Sequence, residues 1–136
     1  MINKFFNIRN HNDVFDAVGQ IIKASQEWES VYKDFAFRLK IEIENLDYAT
    51  LRRINLLVKE QGKVTEKQFF NLQQVIKLRN YINHEFFLKD FNRDVEWLEE
   101  KLNEIQFLIF EATDLISNLI EKFEGFDTPR PTVFDE

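Results

Sequence analysis

Residues 91–123 read FNRDVEWLEEKLNEIQFLIFEATDLISNLIEKF. Apolar side chains recur at Phe91, Val95, Leu98, Leu102, Ile105, Ile109, Ala112, Ile116, Leu119 and Phe123, in steps of four and three. An α-helix returns residues so spaced to one face, because its turn holds about 3.6 residues. Leu108, Leu115 and Ile120 widen the stripe beyond a two-stranded seam, which predicts a helix in a bundle. Asn92 offers a cap for its start and Gly125 a terminator for its end. Such a helix spans roughly 45–50 Å at about 1.5 Å per residue.

The same rhythm opens the chain. Val14, Val18, Ile21, Trp28, Tyr32, Phe35, Leu39, Ile43 and Leu46 follow it, with Ser25 the one polar residue in register. This predicts a helix over roughly 13–45, capped by Asn12 or Asp13, with a break, if any, near Ser25–Ser30. Residues 39–44 also alternate with period two, so a short strand is the alternative there. Two shorter helices are expected between the long ones. The first covers roughly 48–61, with Leu51, Ile54, Leu57 and Val58 on one face and Gly62 ending it. The second starts at Thr65, whose spacing to Gln68 is that of a capping box, and runs to about Phe86 or Phe87. Residues 126–136 contain Pro129 and Pro131 and read as an extended or disordered tail. The expectation is one all-α domain over 1–125, a bundle of four main helices, two long and two shorter.

Composition narrows the chemistry. The 136 residues suit one domain, and 44% hydrophobic with 31% charged is a soluble globular profile. Three Gly and two Pro are too few for a loop-rich β fold. With no Cys, there is no disulfide, Cys-ligated zinc, iron–sulfur centre or cysteine nucleophile. The two histidines, His11 and His84, are not preceded by Glu at three residues, where Ile8 and Tyr81 stand, so no di-iron Glu-x-x-His pair is signalled. The glycines at 19, 62 and 125 form no phosphate loop. No cofactor and no metal are expected. No apolar run is long enough for a bilayer, and Met1–Asn10 lacks the pattern of a secretory signal, so a cytoplasmic protein is expected.

The net charge of -6 is unevenly spread: residues 1–46 carry -1, residues 47–90 carry +3 and residues 91–136 carry -8. That balance argues against binding duplex nucleic acid over the whole surface. It places any contact with RNA or DNA in the middle third.

The helix expected from Thr65 breaks its own pattern. On a helical wheel, at about 100° per residue, Phe69, Leu72, Val75, Ile76, Leu78, Ile82, Phe86 and Phe87 fill one continuous half. Arg79 and Asn83 fall within that half. A guanidinium there needs an acidic partner on another helix, a route to the surface, or an anionic ligand. His84 lies five residues on, roughly 140° around the same wheel.

Residues 78–87, Leu-Arg-Asn-Tyr-Ile-Asn-His-Glu-Phe-Phe, resemble the signature of the HEPN superfamily: Arg followed by a polar residue, a short spacer, then His. Arg79, Asn80 and His84 match it, and the frame is similar to the branch whose members pair with a nucleotidyltransferase antitoxin. The resemblance implies a metal-independent endoribonuclease, a toxin or phage-defence component, with an RNA substrate and an antitoxin partner. It also implies a homodimer whose cleft lies between two copies of this helix. In that setting His84 is the proton shuttle, Arg79 stabilises the phosphate, and Asn80 orients the phosphate or His84. Two positions depart from the pattern. Phe86 stands where the branch usually has Tyr, and Asn83 stands where an aliphatic residue is usual.

Two other readings are open at this stage. A non-catalytic helical interaction or RNA-binding module fits the long stripes, the acidic third and Phe86. A DNA-binding helix-turn-helix fits residues 48–61, the turn at Gly62 and the helix from Thr65 in outline, with Arg52, Arg53, Lys59, Lys63 and Lys67 nearby.

Overall fold

Asn10 starts the first helix, accepting from the backbone N–H of Asn12 and Asp13 in a computed structural model of the chain. Residues 4–123 are described, apart from 42, 44, 47 and 48. The chain is an all-α bundle: α1 (His11–Arg38), α2 (Leu51–Glu60), α3 (Glu66–His84), the single turn α4 (Phe86–Lys89) and α5 (Val95–Lys122). There is no strand among the described residues. The expected tail at 126–136 and Gly125 lie outside the described residues, as do Tyr48 and part of the alternating stretch at 39–44.

The long helices form the frame. His11 Nε2 lies 3.0 Å from the Arg93 carbonyl, and the ring of Phe35 lies 6.2 Å from that of Phe123. α1 and α5 therefore run parallel. α3 runs antiparallel to both, since Glu29 of α1 meets Arg79 and Tyr32 reaches the Phe69–Gln73 region through Asn55. The heptad positions fill the core: Trp28, Tyr32, Phe35, Leu98, Leu102, Ile105, Ile109 and Ile116 are fully buried. Ser25 does not break α1, because its hydroxyl donates to the Ile22 carbonyl within the helix.

The boundaries differ from the expectation for local reasons. α1 stops at Arg38, not near 45. Lys40 takes a left-handed conformation (φ 59°) and donates to Phe37 O, while Ile41 donates to Ala36 O and buries its side chain. These two bonds make a Schellman terminator with Lys40 in the place usually held by glycine. α2 starts later than 48 because Thr50 caps it, and it ends in the same motif with Gly62 (φ 70°). The capping box at Thr65 and Gln68 is present. α3 ends at His84 rather than at 86 or 87, and Glu85 leaves the helical conformation before α4. α5 is capped by Asp94, which accepts from Trp97 N–H at 2.8 Å, and not by Asn92.

An extended segment at residues 4–8 completes the core. Phe6 and Ile8 are buried while Asn7 between them is exposed. Asn103 of α5 holds this segment as a neighbouring strand would. Its Oδ1 accepts from Phe5 and Phe6 N–H, and its Nδ2 donates to the Phe6 carbonyl at 3.1 Å. α3 packs against α1, α2, α4 and α5. It is a core helix rather than one standing free to enter a DNA groove.

Candidate functional site

Arg79 is carried on the side of α3 that faces α1 and the start of α2. Its Nη2 donates to Glu29 Oε1 at 2.6 Å, and its Nη1 makes a long 3.5 Å contact with Asn80 Oδ1. Arg79 Nε is buried and donates to nothing among the described residues. The guanidinium therefore meets Glu29 at one point, without the two-pronged geometry it can offer a carboxylate or phosphate. The Arg79 side chain keeps 25% of its exposure, so it is at a cleft wall rather than sealed in the core.

The cleft is about 450 Å³, and its walls come from three helices. Glu29 and Lys33 line it from α1, Thr50, Leu51 and Arg52 from the start of α2, and Ile76, Arg79 and Asn80 from α3. Lys33 is only 7% exposed, and its ammonium lies 3.1 Å from Glu29 Oε2. One carboxylate thus bridges two cations. Arg52 is exposed and has no ion pair among the described residues. Arg79, Lys33 and Arg52 thus bring three cationic side chains to the described walls, beside Glu29.

His84 stands apart from that cleft. It is the last residue of α3, exposed, with no side-chain hydrogen bond among the described residues. Its neighbours along the chain are apolar and open: Phe87 and Leu88 are exposed, and Phe87 stacks on the exposed Phe15 of α1 at 5.6 Å. Asn80 is exposed and contacts Arg79. The structure thus brings Arg79 and Asn80 together and leaves His84 on another face. Asn83, expected within the apolar half, is exposed, because that half is wider than the surface the other helices cover. Phe86, in the position where the resembling branch has Tyr, is fully buried against the edges of Tyr81 and Phe87.

Tyr81, between Asn80 and His84, faces the opposite wall of α3. Its hydroxyl donates to Asp90 Oδ2, and Lys101 of α5 lies over its ring. Partial burial, with the carboxylate as acceptor, holds the phenol well above its usual range. The same hydrogen bond, with help from Arg93, holds Asp90 below the usual carboxylate range. Among the described residues, no three of His, Cys, Asp and Glu converge as a metal site, and no helix is long and apolar enough to cross a membrane.

Glu29 and Lys33 were not singled out by sequence, and Arg52 only as one of the cations beside the possible helix-turn-helix. A faint signal exists for the first two. Each directly follows a stripe position, Trp28 or Tyr32, and they are four apart, the spacing of a helical ion pair. Compared with family models, curated proteins and solved structures, the chain matches none.

Proposed function

We propose that the chain is a HEPN-like, metal-independent endoribonuclease in which His84 shuttles a proton and Arg79 stabilises the phosphate. The observation that carries this reading is the Leu78–Phe87 sequence on the closing turns of the core helix of an all-α bundle. Arg79 opens there onto a cation-rich cleft, and His84 is exposed to a strand arriving from solvent. The chemistry suits the residues. RNA supplies its own nucleophile in the 2′-hydroxyl. An imidazole takes that proton as the oxygen attacks phosphorus, and returns it to the departing 5′-oxygen, leaving a 2′,3′-cyclic phosphate. A guanidinium stabilises the charge that grows on the phosphoryl oxygens, and Asn80 orients either partner.

On one helix Arg79 and His84 are roughly 140° apart, so the reading needs two copies, each bringing its α3 to a shared cleft. The open apolar side chains of Phe15, Phe87 and Leu88 near His84 support such a homodimer. A cytoplasmic toxin or phage-defence setting, with an antitoxin partner, belongs to the same reading. The test is cleavage of mixed RNA in EDTA by purified protein, with His84→Ala purified in parallel. Cleavage by the parent and none by the variant is the expected result. Equal cleavage by both, or none by either, sinks it.

A second reading is a non-catalytic interaction or RNA-binding module. The ion pair that occupies Arg79 and the buried ring of Phe86 favour it. It expects a stable assembly whose formation ignores His84→Ala.

A further inference from the structure

α2 shows what a groove between two helices of this bundle accepts. It packs on α1 and α3 with Leu51, Ile54 and Val58 buried, an apolar edge in steps of three and four. A second groove, between α3 and α5, encloses about 750 Å³ and is lined from those two helices alone among the described residues. We infer that it docks an amphipathic helix of a partner protein, one that lays a stripe of leucine-sized side chains along Leu108, Ala112 and Leu115 and sets two cationic side chains on Glu104 and Glu111. The inference does not rest on the ribonuclease reading.

The floor of the groove is apolar. Leu72, Val75 and Ala112 are buried, while Leu78, Leu108 and Leu115 stand half-buried in the walls. Leu108, Ala112 and Leu115 follow one another in steps of four and three, so they share one face of α5. Ala112 is the small residue between two large ones. It leaves a hole that a leucine of an incoming helix fills as a knob. From Lys101 to Leu115 the groove follows α5 for about 20 Å at about 1.5 Å per residue, the length of a helix of about 14 residues. Half-buried leucines along a groove of that length are the contacts an amphipathic helix uses.

The rim selects the charge of the partner. Glu104 and Glu111 line the α5 edge two helical turns apart, about 10 Å, and neither carboxylate makes a hydrogen bond or ion pair among the described residues. The α3 edge is neutral there, with Gln68, Asn71 and Gln74. Lys101, the one cation among the lining residues, stands at the opposite end from Leu115 with its ammonium over the Tyr81 ring. Arginine or lysine at seven-residue spacing on the partner meets both carboxylates. Residues 91–136 carry -8, which attracts a basic helix from a distance and repels a nucleic-acid strand. The chain's own residues 124–136 bring four acidic side chains and one basic one, the same sign as the rim, so charge favours a separate partner over that segment.

The test titrates a fluorescein-labelled peptide of about 14 residues against the full chain by anisotropy. The peptide is alanine-based and bridged on its outer face to hold the helix, with leucine in steps of four and three and arginine on both flanks of that stripe. A control carries glutamate in place of arginine. The parent is expected to bind the arginine peptide with a Kd on the order of 10 µM, the scale of a small interface, more weakly as salt rises, and to leave the control unbound. Glu104→Lys with Glu111→Lys is expected to reverse that choice, losing about tenfold in affinity for the arginine peptide and gaining the control. Leu108→Gln with Leu115→Gln is expected to lose the arginine peptide. The two glutamates have no side-chain partner among the described residues, so the charge-reversed variant folds and keeps the test decisive. No binding by the parent overturns the proposal, as does an arginine peptide held equally by the parent and by the charge-reversed chain. Two further results overturn it by naming another occupant. If sedimentation finds a dimer of the parent that Leu108→Gln with Leu115→Gln dissociates, the groove takes a second copy. If Val133→Ser with Phe134→Ser in the full chain tightens the peptide, the groove takes residues 124–136.

Discussion

Arg79 occupies the apolar half of α3, and its single bond to Glu29 governs what it contributes to the fold. Both side chains keep about a quarter of their exposure, so solvent screens the pair and its net coupling is modest. A double-mutant cycle over Glu29→Ala and Arg79→Ala is expected to give a coupling of about 1 kcal/mol at low salt, measured by urea unfolding. A coupling indistinguishable from zero would mean that Lys33 alone satisfies Glu29. Tyr81 and Asp90 make a second pair with a signature in pH. Asp90 is held below the usual carboxylate range chiefly by the Tyr81 hydroxyl. A depressed carboxyl contributes stability that is complete above its unfolded pKa, about 3.9, and lost as pH falls through the folded value. Tyr81→Phe is expected to return the Asp90 midpoint toward the ordinary range in a carboxyl-carbon NMR titration and to flatten the acid limb of the unfolding profile. An unmoved Asp90 midpoint would assign the shift to Arg93 instead.

At the scale of the element, the two Schellman terminators make a matched pair with different residues at the same position. Gly62 accepts φ 70° at no steric cost, whereas Lys40 holds φ 59° with a side chain attached. Lys40→Gly is expected to stabilise the protein by about 0.5–1 kcal/mol, and Gly62→Ala to destabilise it by about 1 kcal/mol, in thermal or urea unfolding. No neighbour would meet the new Cβ of Gly62→Ala, so that cost comes from the backbone alone. Equal responses at the two sites would contradict this account. The contrast also explains what the sequence made legible. The stripes of α1 and α5 are repeated many times, so they were readable and placed the core correctly. Thr65 with Gln68, and Gly62, are local signals and were equally plain. The stop at Lys40 was not, because a lysine in the left-handed region carries no compositional mark, and the apolar register continues past it to Ile43. The break after His84 was hidden in the same way, since Phe86 keeps the register while Glu85 leaves the helix. For the candidate site, Arg79 was visible as a misfit on the wheel. Glu29 and Lys33 were not, because the partner of a charge on another helix depends on how the helices pack, which no single-helix periodicity encodes.

Across the whole molecule, the helices alone do not close the bundle. The segment at residues 4–8 lays Phe6 and Ile8 into the core, and it has no helix or sheet of its own to satisfy its backbone. Asn103 supplies that function from α5: its amide accepts from two backbone N–H groups and donates to one carbonyl, while Glu99 Oε1 accepts from Ile8 N–H at 2.9 Å. The order of the contacts predicts how the segment fails. Asn103→Ala leaves two backbone donors and an acceptor without partners, each costing about 1–3 kcal/mol if it stays buried. The cheaper response is for residues 4–8 to detach, which exposes Phe6 and Ile8 at about 1.5–3 kcal/mol each. Either route is expected to lower stability by about 3–5 kcal/mol, a large change for one exchange. Hydrogen exchange distinguishes the two. Detachment makes the amides of Phe5, Phe6 and Ile8 exchange freely while those in the middle of α1 and α5 keep the protection set by global unfolding. Orphaned but attached groups keep residues 4–8 protected to the same degree as the helices. Detachment lets water satisfy the freed backbone groups, so it is the expected outcome. A stability loss below about 1 kcal/mol would show that the segment is not part of the cooperative unit.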